Sequence, residues 1–215
     1  MMGAIARNAA NNITTSGVFT SSAIANSSVT GITVLANASD GITFISSQTA
    51  SNSASISFTG LSSTYKAYKF VVVNINPNND NDELRFNFST DNGSNYNVTK
   101  TTTFFRALHN ENDSNALLGY QSSFHLSQGT GFAYLSEQIG LDNDQSSSGT
   151  LTLFNPSSTT YVKHFISDFN CSTDIDVSMR NLGAGYGNTT SAINAVRFQM
   201  DLGNFDGTIY LYGIK

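Results

Sequence analysis

Charged residues are scarce in this sequence. Asp, Glu, Lys and Arg make up 12% of the 215 residues, against about 25% in an ordinary soluble domain, and Ser, Thr and Asn take their place. The formal net charge is −5 and the ten basic residues are scattered, whereas a nucleic-acid-binding face needs clustered Lys and Arg to replace phosphate counterions. We therefore expect no nucleic-acid partner. An uncharged, hydroxyl-rich and amide-rich surface instead favours permanent packing against other chains, because its desolvation costs little.

Cysteine and long apolar segments are also nearly missing. Cys171 is the only cysteine, which excludes an intrachain disulfide and a thiolate-rich metal site, and we expect it to be a small buried side chain. No segment approaches the roughly 18 consecutive apolar residues of a membrane-spanning helix. Residues 1–7 lack the apolar core of a secretory signal. The sequence therefore predicts no membrane association and assembly in a cytoplasm.

The first 40 residues contain few large apolar side chains. This segment consists mainly of Ala, Asn, Ser, Thr and Gly, so it cannot bury a core of its own. We predict an extended N-terminal arm over residues 1–40 that is ordered by contacts with partner chains. The apolar residues predicted to make those contacts are Ile5, Ile13, Val18, Phe19, Ile24, Val29, Ile32, Val34 and Leu35.

Residues 41–215 have the pattern of an all-β domain. Short apolar runs alternate with polar residues at the period of a half-buried strand, as in residues 84–88 and 196–202, and residues 68–75 are apolar on both faces, which predicts a central strand. Turn signals recur about every 8–12 residues, which favours an antiparallel β-sandwich of jelly-roll-like type. Little helix is expected beyond a single turn within residues 113–118. The glycine-rich residues 183–188 predict a flexible loop.

The polar motifs do not assemble into a recognisable catalytic or metal-binding set. Residues 89–96 match an S-x-D-x-G-x-x-aromatic hairpin, but a single copy predicts only a tight turn. Residues 80–83 and 142–144 lack the spacing of a calcium loop. The three histidines, His109, His125 and His164, lack zinc-site spacing, and no G-x-S-x-G elbow occurs. The sequence therefore predicts a non-enzymatic protein without a metal or cofactor.

Aromatic residues are the more informative feature. Tyr210 and Tyr212 alternate with Ile209 and Leu211, so one face of that strand is predicted to be aliphatic and the other aromatic. Polar-tipped aromatic residues are common in subunit interfaces, and their rings also stack on sugars. The residues predicted to form either an interface or a glycan-stacking surface are Tyr120, Phe132, Tyr134, Tyr210 and Tyr212.

Several stretches resemble a group of poorly characterised virion proteins of tailed bacteriophages, especially marine ones. They are QTASNSASI (residues 48–56), FFRA (104–107), GTLTLFNPSSTTYVKHF (149–165), AINAVRF (192–198) and GTIYLYGI (207–214). The resemblance covers about residue 40 to the end, and the same group carries an Ala-, Asn- and Ser-rich arm before its sandwich. It implies a particle component, either a head decoration or a fibre-like protein, and provides no catalytic residues to transfer.

Two functions follow as expectations from the composition and the resemblance. The first is a capsid decoration (cement) protein in the virion, a homotrimer whose arm binds the major capsid protein or other virion proteins. The second is a tail or head fibre module that binds a host surface glycan. A glycan-degrading tailspike is a third, weaker alternative.

Overall fold

The computed structural model describes residues 41–215, which form twelve β-strands and no helix. The predicted all-β class is therefore confirmed. Residues 1–40, with the nine apolar arm residues named above, lie outside the described part of the chain, so the arm remains a prediction. The strands are β1 (Ile42–Ser53), β2 (Ile56–Thr59), β3 (Ala67–Pro77), β4 (Asp82–Ser89), β5 (Lys100–Asn110), β6 (Ala116–Tyr120), β7 (Ala133–Ile139), β8 (Ser147–Phe154), β9 (Lys163–Ser172), β10 (Val177–Gly187), β11 (Ala195–Met200) and β12 (Phe205–Ile214).

The strands form two antiparallel sheets that pack face to face. The large sheet has eight strands in the order β1-β12-β3-β8-β9-β10-β5-β6, and the small sheet has four in the order β2-β11-β4-β7. Phe70 and Phe165 of the large sheet meet Phe198 and Phe86 of the small sheet edge to face, with ring centroids 5.2 and 4.9 Å apart. This aromatic layer is fully buried. It fixes the two sheets against each other, since edge-to-face pairs add to the stabilisation from buried area.

The pairing order is that of a jelly roll. Pairs nest from the outside inwards: β1 with β12, β2 with β11, β3 with β8, and β4 with β7, alternating between the large and small sheets. An eight-stranded double sheet of this kind is the jelly-roll architecture. Strands β5–β6 and β9–β10 are hairpin insertions into it, and both extend the large sheet beyond β8.

The predicted central strand is confirmed, whereas two local predictions are wrong. Residues 68–75 lie within β3, between β12 and β8. Residues 113–118, however, form the end of a turn and the start of β6, because pairing with β5 overrides their weak local preference. Residues 183–187 are not a flexible loop but part of β10.

The glycines of β10 are required by close packing. A Cβ at Gly185 would lie 2.5 Å from the Thr101 carbonyl oxygen and 3.0 Å from the Phe165 ring. Glycine is the residue that permits such a close approach between neighbouring strands. The glycine-rich segment is therefore a tightly packed strand of the large sheet.

Candidate interaction surface on the large sheet

The side of the large sheet that points away from the small sheet, here called the outer face, is left uncovered by residues 41–215. Side chains alternate between the two faces of each strand, and the strand register aligns the outward ones into rows. One row runs from Thr152 of β8 through Ile166 and Ala184 to Thr103 of β5. The next row contains Asp168, Leu182, Phe105 and Tyr120.

Large apolar side chains are exposed along these rows. Ile166, in the middle strand β9, is 55% exposed, and Phe154, Phe105, Leu118 and Tyr120 are exposed on the same face. At the far edge of the sheet, Ile42 and Phe44 of β1 are exposed as well. Apolar side chains recurring over one sheet face are typical of a surface that contacts another molecule.

The outer face has almost no net charge. Its main charged groups, Arg180 and Asp168, form a bidentate ion pair with N–O distances of 2.9 and 2.6 Å, and the hydrogen bonds from Arg180 lower the pKa of Asp168. Lys69 also lies on this face, opposite Tyr212 and Thr152 in the strand register. The charges that a second molecule would meet there are therefore few.

The outer face of the small sheet is different. Arg85 forms ion pairs with Glu83, at 3.4 Å, and with Asp201, and the Arg197 guanidinium lies 4.1 Å from the centre of the Tyr96 ring. These charged side chains are partly buried and are paired with one another or with an aromatic ring. The two sides of the sandwich therefore differ clearly in polarity.

A shallow groove of about 510 Å³ crosses the outer face over strands β8, β9, β10 and β5. Its walls include Phe154, His164, Ile166, Thr101, Thr103 and Tyr186. The His164 and Tyr186 rings lie 6.1 Å apart and are tilted by 59°. The groove offers two ring faces, an apolar floor and a few hydroxyl groups, and no carboxylate or side-chain amide of residues 41–215 lines it. Its chemistry suits apolar packing or stacking.

The structure places three of the five predicted aromatic residues on the outer face. Tyr120 lies on β6, and Tyr210 and Tyr212 lie on β12, where Tyr212 packs edge-on against Phe44 at 5.7 Å. Ile209 and Leu211 point into the core, so the predicted aliphatic and aromatic faces of that strand are both present.

The other two predicted aromatics, Phe132 and Tyr134, belong to the small-sheet side. Tyr134 packs 4.5 Å from the Phe124 ring and 4.2 Å from the Arg85 guanidinium. Phe132 lies just before β7 and is half-buried. The structure therefore does not bring these two residues together with Tyr120, Tyr210 and Tyr212.

The titratable groups with the most unusual surroundings are inside the sandwich. Burial lowers the pKa of Lys100 to about 7, and its Nζ donates hydrogen bonds to the Asn87 side-chain oxygen and the Val98 carbonyl. Burial also raises the pKa of the Cys171 thiol to about 11 and raises the pKa of Glu137, although Arg106 lies 3.2 Å away. Lys100, Glu137 and Cys171 are all shut off from solvent.

The loop at residues 89–96 is a tight turn, as predicted from its single motif. Asp91 accepts hydrogen bonds from the Ser89 hydroxyl and the Asn95 backbone amide, at 2.6 and 2.8 Å. The bond from Ser89 is the main reason that the Asp91 pKa is lowered to about 2. Gly93 follows in the left-handed region with φ 92°, which glycine adopts without strain.

Within residues 41–215, no three or more His, Cys, Asp or Glu side chains are grouped so that they would hold a metal ion. The same residues contain no helix with the length and apolar character to span a membrane.

Sequence reasoning missed the residues of the groove. His164 entered only as an isolated histidine, and Ile166, Phe154 and Tyr186 were not singled out. A signal was present in β9, where Phe165, Phe169 and Cys171 mark the buried face and Ile166 is an apolar residue at an outward position. The groove itself also depends on β5, which is distant in sequence and adjacent only through β10.

No known protein family matches the chain, and no curated protein is similar enough to match it.

Proposed function

We propose that this chain is a non-enzymatic structural protein of a tailed-phage particle, and specifically a head decoration (cement) protein. In this proposal it is a homotrimer in the virion, assembled in the host cytoplasm, and its N-terminal arm anchors it to the major capsid protein or other virion proteins. The observation that carries the proposal is the outer face of the large sheet, which is apolar, almost free of net charge and eight strands wide.

The size of the outer face supports packing against another protein. Eight strands spaced about 4.8 Å apart make a sheet about 38 Å wide. Along the strands, about five outward residues per strand give the sheet a length of about 30 Å. That footprint, about 1,100 Å², exceeds the roughly 800 Å² per partner of a standard protein–protein interface. A surface of this size and polarity suits a permanent contact better than a small ligand.

The jelly roll and the surface chemistry support a role in a particle. Double-sheet jelly rolls occur in viral capsid proteins as well as in lectins and cupins. Ser, Thr and Asn in place of charged residues let a protein pack against neighbours on several sides with little desolvation penalty. The stretches that resemble phage virion proteins lie largely on strands β1, β5, β8, β9, β11 and β12.

Counting copies per particle tests the proposal. Particles that contain this chain would be purified and its amount measured by quantitative mass spectrometry against the major capsid protein. A cement protein is expected in hundreds of copies, and heads lacking it should lose resistance to internal pressure. Absence of the chain from purified particles would overturn the proposal.

Deleting residues 1–38 tests the anchoring part separately. We expect the shortened chain to keep the circular dichroism spectrum of the sandwich but to fail to bind heads from which the full chain has been removed. The full chain, added back in parallel, is the matched control. Equal binding by both chains would contradict the anchoring role.

The groove favours one second candidate, a tail or head fibre module that binds a host glycan. The His164 and Tyr186 rings and the hydroxyls of Thr101 and Thr103 are groups that contact sugars. This function predicts few copies per particle. It also predicts binding on a glycan array that is lost in a Tyr186→Ala variant and kept in a Tyr161→Ala variant, since Tyr161 is exposed outside the groove.

A further inference from the structure

The edge strands of the two sheets differ in how their free backbone groups are protected. Exposed edges are usually blunted by charges, bulges, prolines or short length, because an open edge pairs with other chains. Strand β1 has two register shifts in its pairing, β7 has two, and β2 has only four residues. Strand β6, with five residues, is also short, but it pairs with β5 in regular register and contains no charge and no proline.

Strand β6 also exposes apolar side chains on both of its faces. Leu118 and Tyr120 point to the outer face and are 72% and 56% exposed, and Leu117 points to the opposite side and is 45% exposed. A short edge that is apolar on both sides gains little from contact with water. It is the kind of edge that is stabilised when another strand is added beside it.

Gly119 has no role in the packing of residues 41–215. A Cβ built on Gly119 would meet no atom within 4 Å, and its φ is outside the left-handed region. Glycine weakens a strand, and inside a strand it often marks a place where another backbone approaches closely. Residues 41–215 provide no such neighbour at Gly119, so a second backbone has room to approach there.

We propose that β6 pairs antiparallel with β6 of a second copy of this chain, about a twofold axis through Leu118. A twofold axis presents each strand with its own sequence reversed. In this register Leu118 faces Leu118, Leu117 faces Gly119, and Ala116 faces Tyr120. Leu117 and Tyr120 therefore lie beside the small residues Gly119 and Ala116, and the two Leu118 side chains meet at the axis.

The charge pattern and the flanking residues fit the same partner. Strand β6 carries no charge, so the twofold axis brings no like charges together. Beyond the strand, Asn115 of one copy faces Gln121 of the other, and these amide side chains provide the polar rim of the contact. The large sheets of the two copies would join into one continuous sheet with Phe105, Leu118 and Tyr120 at its centre.

This contact does not depend on a role in a phage particle, because it is a property of the purified chain. A single pair of five-residue strands buries less area than a standard interface, so the association is expected to depend on concentration. In an assembly that already holds copies side by side, the same contact gains from the high effective concentration and would connect one oligomer to the next.

Sedimentation velocity on the full chain tests the pairing. We expect the wild-type chain to form a species with an even number of subunits between 1 and 100 µM, either a dimer or a pair of trimers. A Leu118→Lys variant should weaken this association at least tenfold and halve the mass, because two ammonium groups would face each other at the axis. A Leu202→Lys variant is the control, since Leu202 is similarly exposed in the turn between β11 and β12.

A disulfide crosslink tests the register. Opposed residues of an antiparallel pair have Cα atoms about 4.5–5.5 Å apart, which is within the range that a disulfide spans. A Leu118→Cys variant should therefore form a covalent dimer on mild oxidation, whereas Leu202→Cys should not, and the native Cys171 is buried. Circular dichroism and Tm would verify that each variant is folded.

The outcomes separate this inference from the proposed function. A wild-type chain without an even-numbered species at 100 µM, or equal crosslinking of the two cysteine variants, would overturn the β6 pairing. Neither result would change the number of copies per particle. Conversely, if the chain is absent from particles but the Leu118→Cys variant forms the crosslink, only the particle role is overturned.

Discussion

At the scale of single residues, Lys100 is the most unusual side chain. It is fully buried, and its Nζ is held by the Asn87 side-chain oxygen and the Val98 carbonyl. Neither partner is a carboxylate. The Asn87 amide group in turn donates to the carbonyls of Tyr96 and Thr130 at 2.7 and 3.0 Å. Lys100 thus belongs to a hydrogen-bonded cluster that connects β5 with β4, one strand from each sheet.

The lowered pKa of Lys100 predicts a pH-dependent stability. In the unfolded chain a lysine binds its proton up to about pH 10.4, whereas the folded chain releases it near pH 7. Between these values the unfolded state binds more protons, so the free energy of unfolding should rise with pH by up to about 1.4 kcal/mol per pH unit. Urea titrations at pH 7, 8 and 9 measure this rise.

Substitution isolates the contribution of Lys100. The rise should be largely lost in a Lys100→Met variant and retained in a Lys66→Met variant, because Lys66 is exposed. Glu83 and Glu137, whose pKa values are raised by burial, should instead make the folded state bind protons in the acid range and so affect stability at lower pH. If the free energy of unfolding rose equally with pH in the two methionine variants, the assignment to Lys100 would be contradicted.

At the scale of the elements, glycines in the strands have two different causes. Gly185 lies in β10 where a Cβ would meet the Thr101 carbonyl oxygen and the Phe165 ring, whereas Gly119 lies in β6 with open space around it. The first glycine is needed by the fold of its own chain. The second has no packing partner within residues 41–215.

A pair of alanine substitutions tests this difference. Gly185→Ala should destabilise the chain by about 1–3 kcal/mol, because the methyl group forces neighbouring strands apart. Gly119→Ala should be neutral or slightly stabilising, since alanine reduces the freedom of the unfolded chain and meets no obstacle. Chemical denaturation at low protein concentration provides both values. Equal losses in the two variants would contradict the packing argument.

Sequence patterns predicted the strands well and the packing between distant strands poorly. Strands β3, β4, β11 and β12 follow from alternating or continuous apolar residues, because that pattern reflects the burial of one or both faces. Residues 183–187 and 113–118 were misjudged, since glycine content and local preference do not reveal which strand lies alongside. The groove was missed for the same reason. Its walls on β9 and β5 are brought together only through the register of β10.

At the scale of the whole molecule, the contrast between the two outer faces is the main feature. The small sheet presents Arg85, Glu83, Asp201 and Arg197. The large sheet presents exposed apolar rows with the Arg180–Asp168 ion pair and Lys69. The hairpins β5–β6 and β9–β10 widen the apolar side only. The insertions into the jelly roll thus enlarge the surface on which we expect partner chains to pack.

A charge placed on the outer face should reduce assembly without affecting folding. Ile166→Asp introduces a carboxylate at the middle of this face, at a side chain that is already exposed. We expect little change in Tm but a smaller proportion of homotrimer by native mass spectrometry and weaker binding to heads. Leu202→Asp is the matched control and should resemble the wild-type chain. Loss of binding in both variants, or in neither, would contradict a role of this face.

Because β1 pairs with β12, the first residues of the sandwich lie beside β12, with Ile42 opposite Ile214. A fluorophore attached after Lys215 would therefore lie close to residue 41, the residue that follows the N-terminal segment. Changes in its emission on mixing with capsids would report docking near that junction directly, while the groove and the β6 edge stay unlabelled.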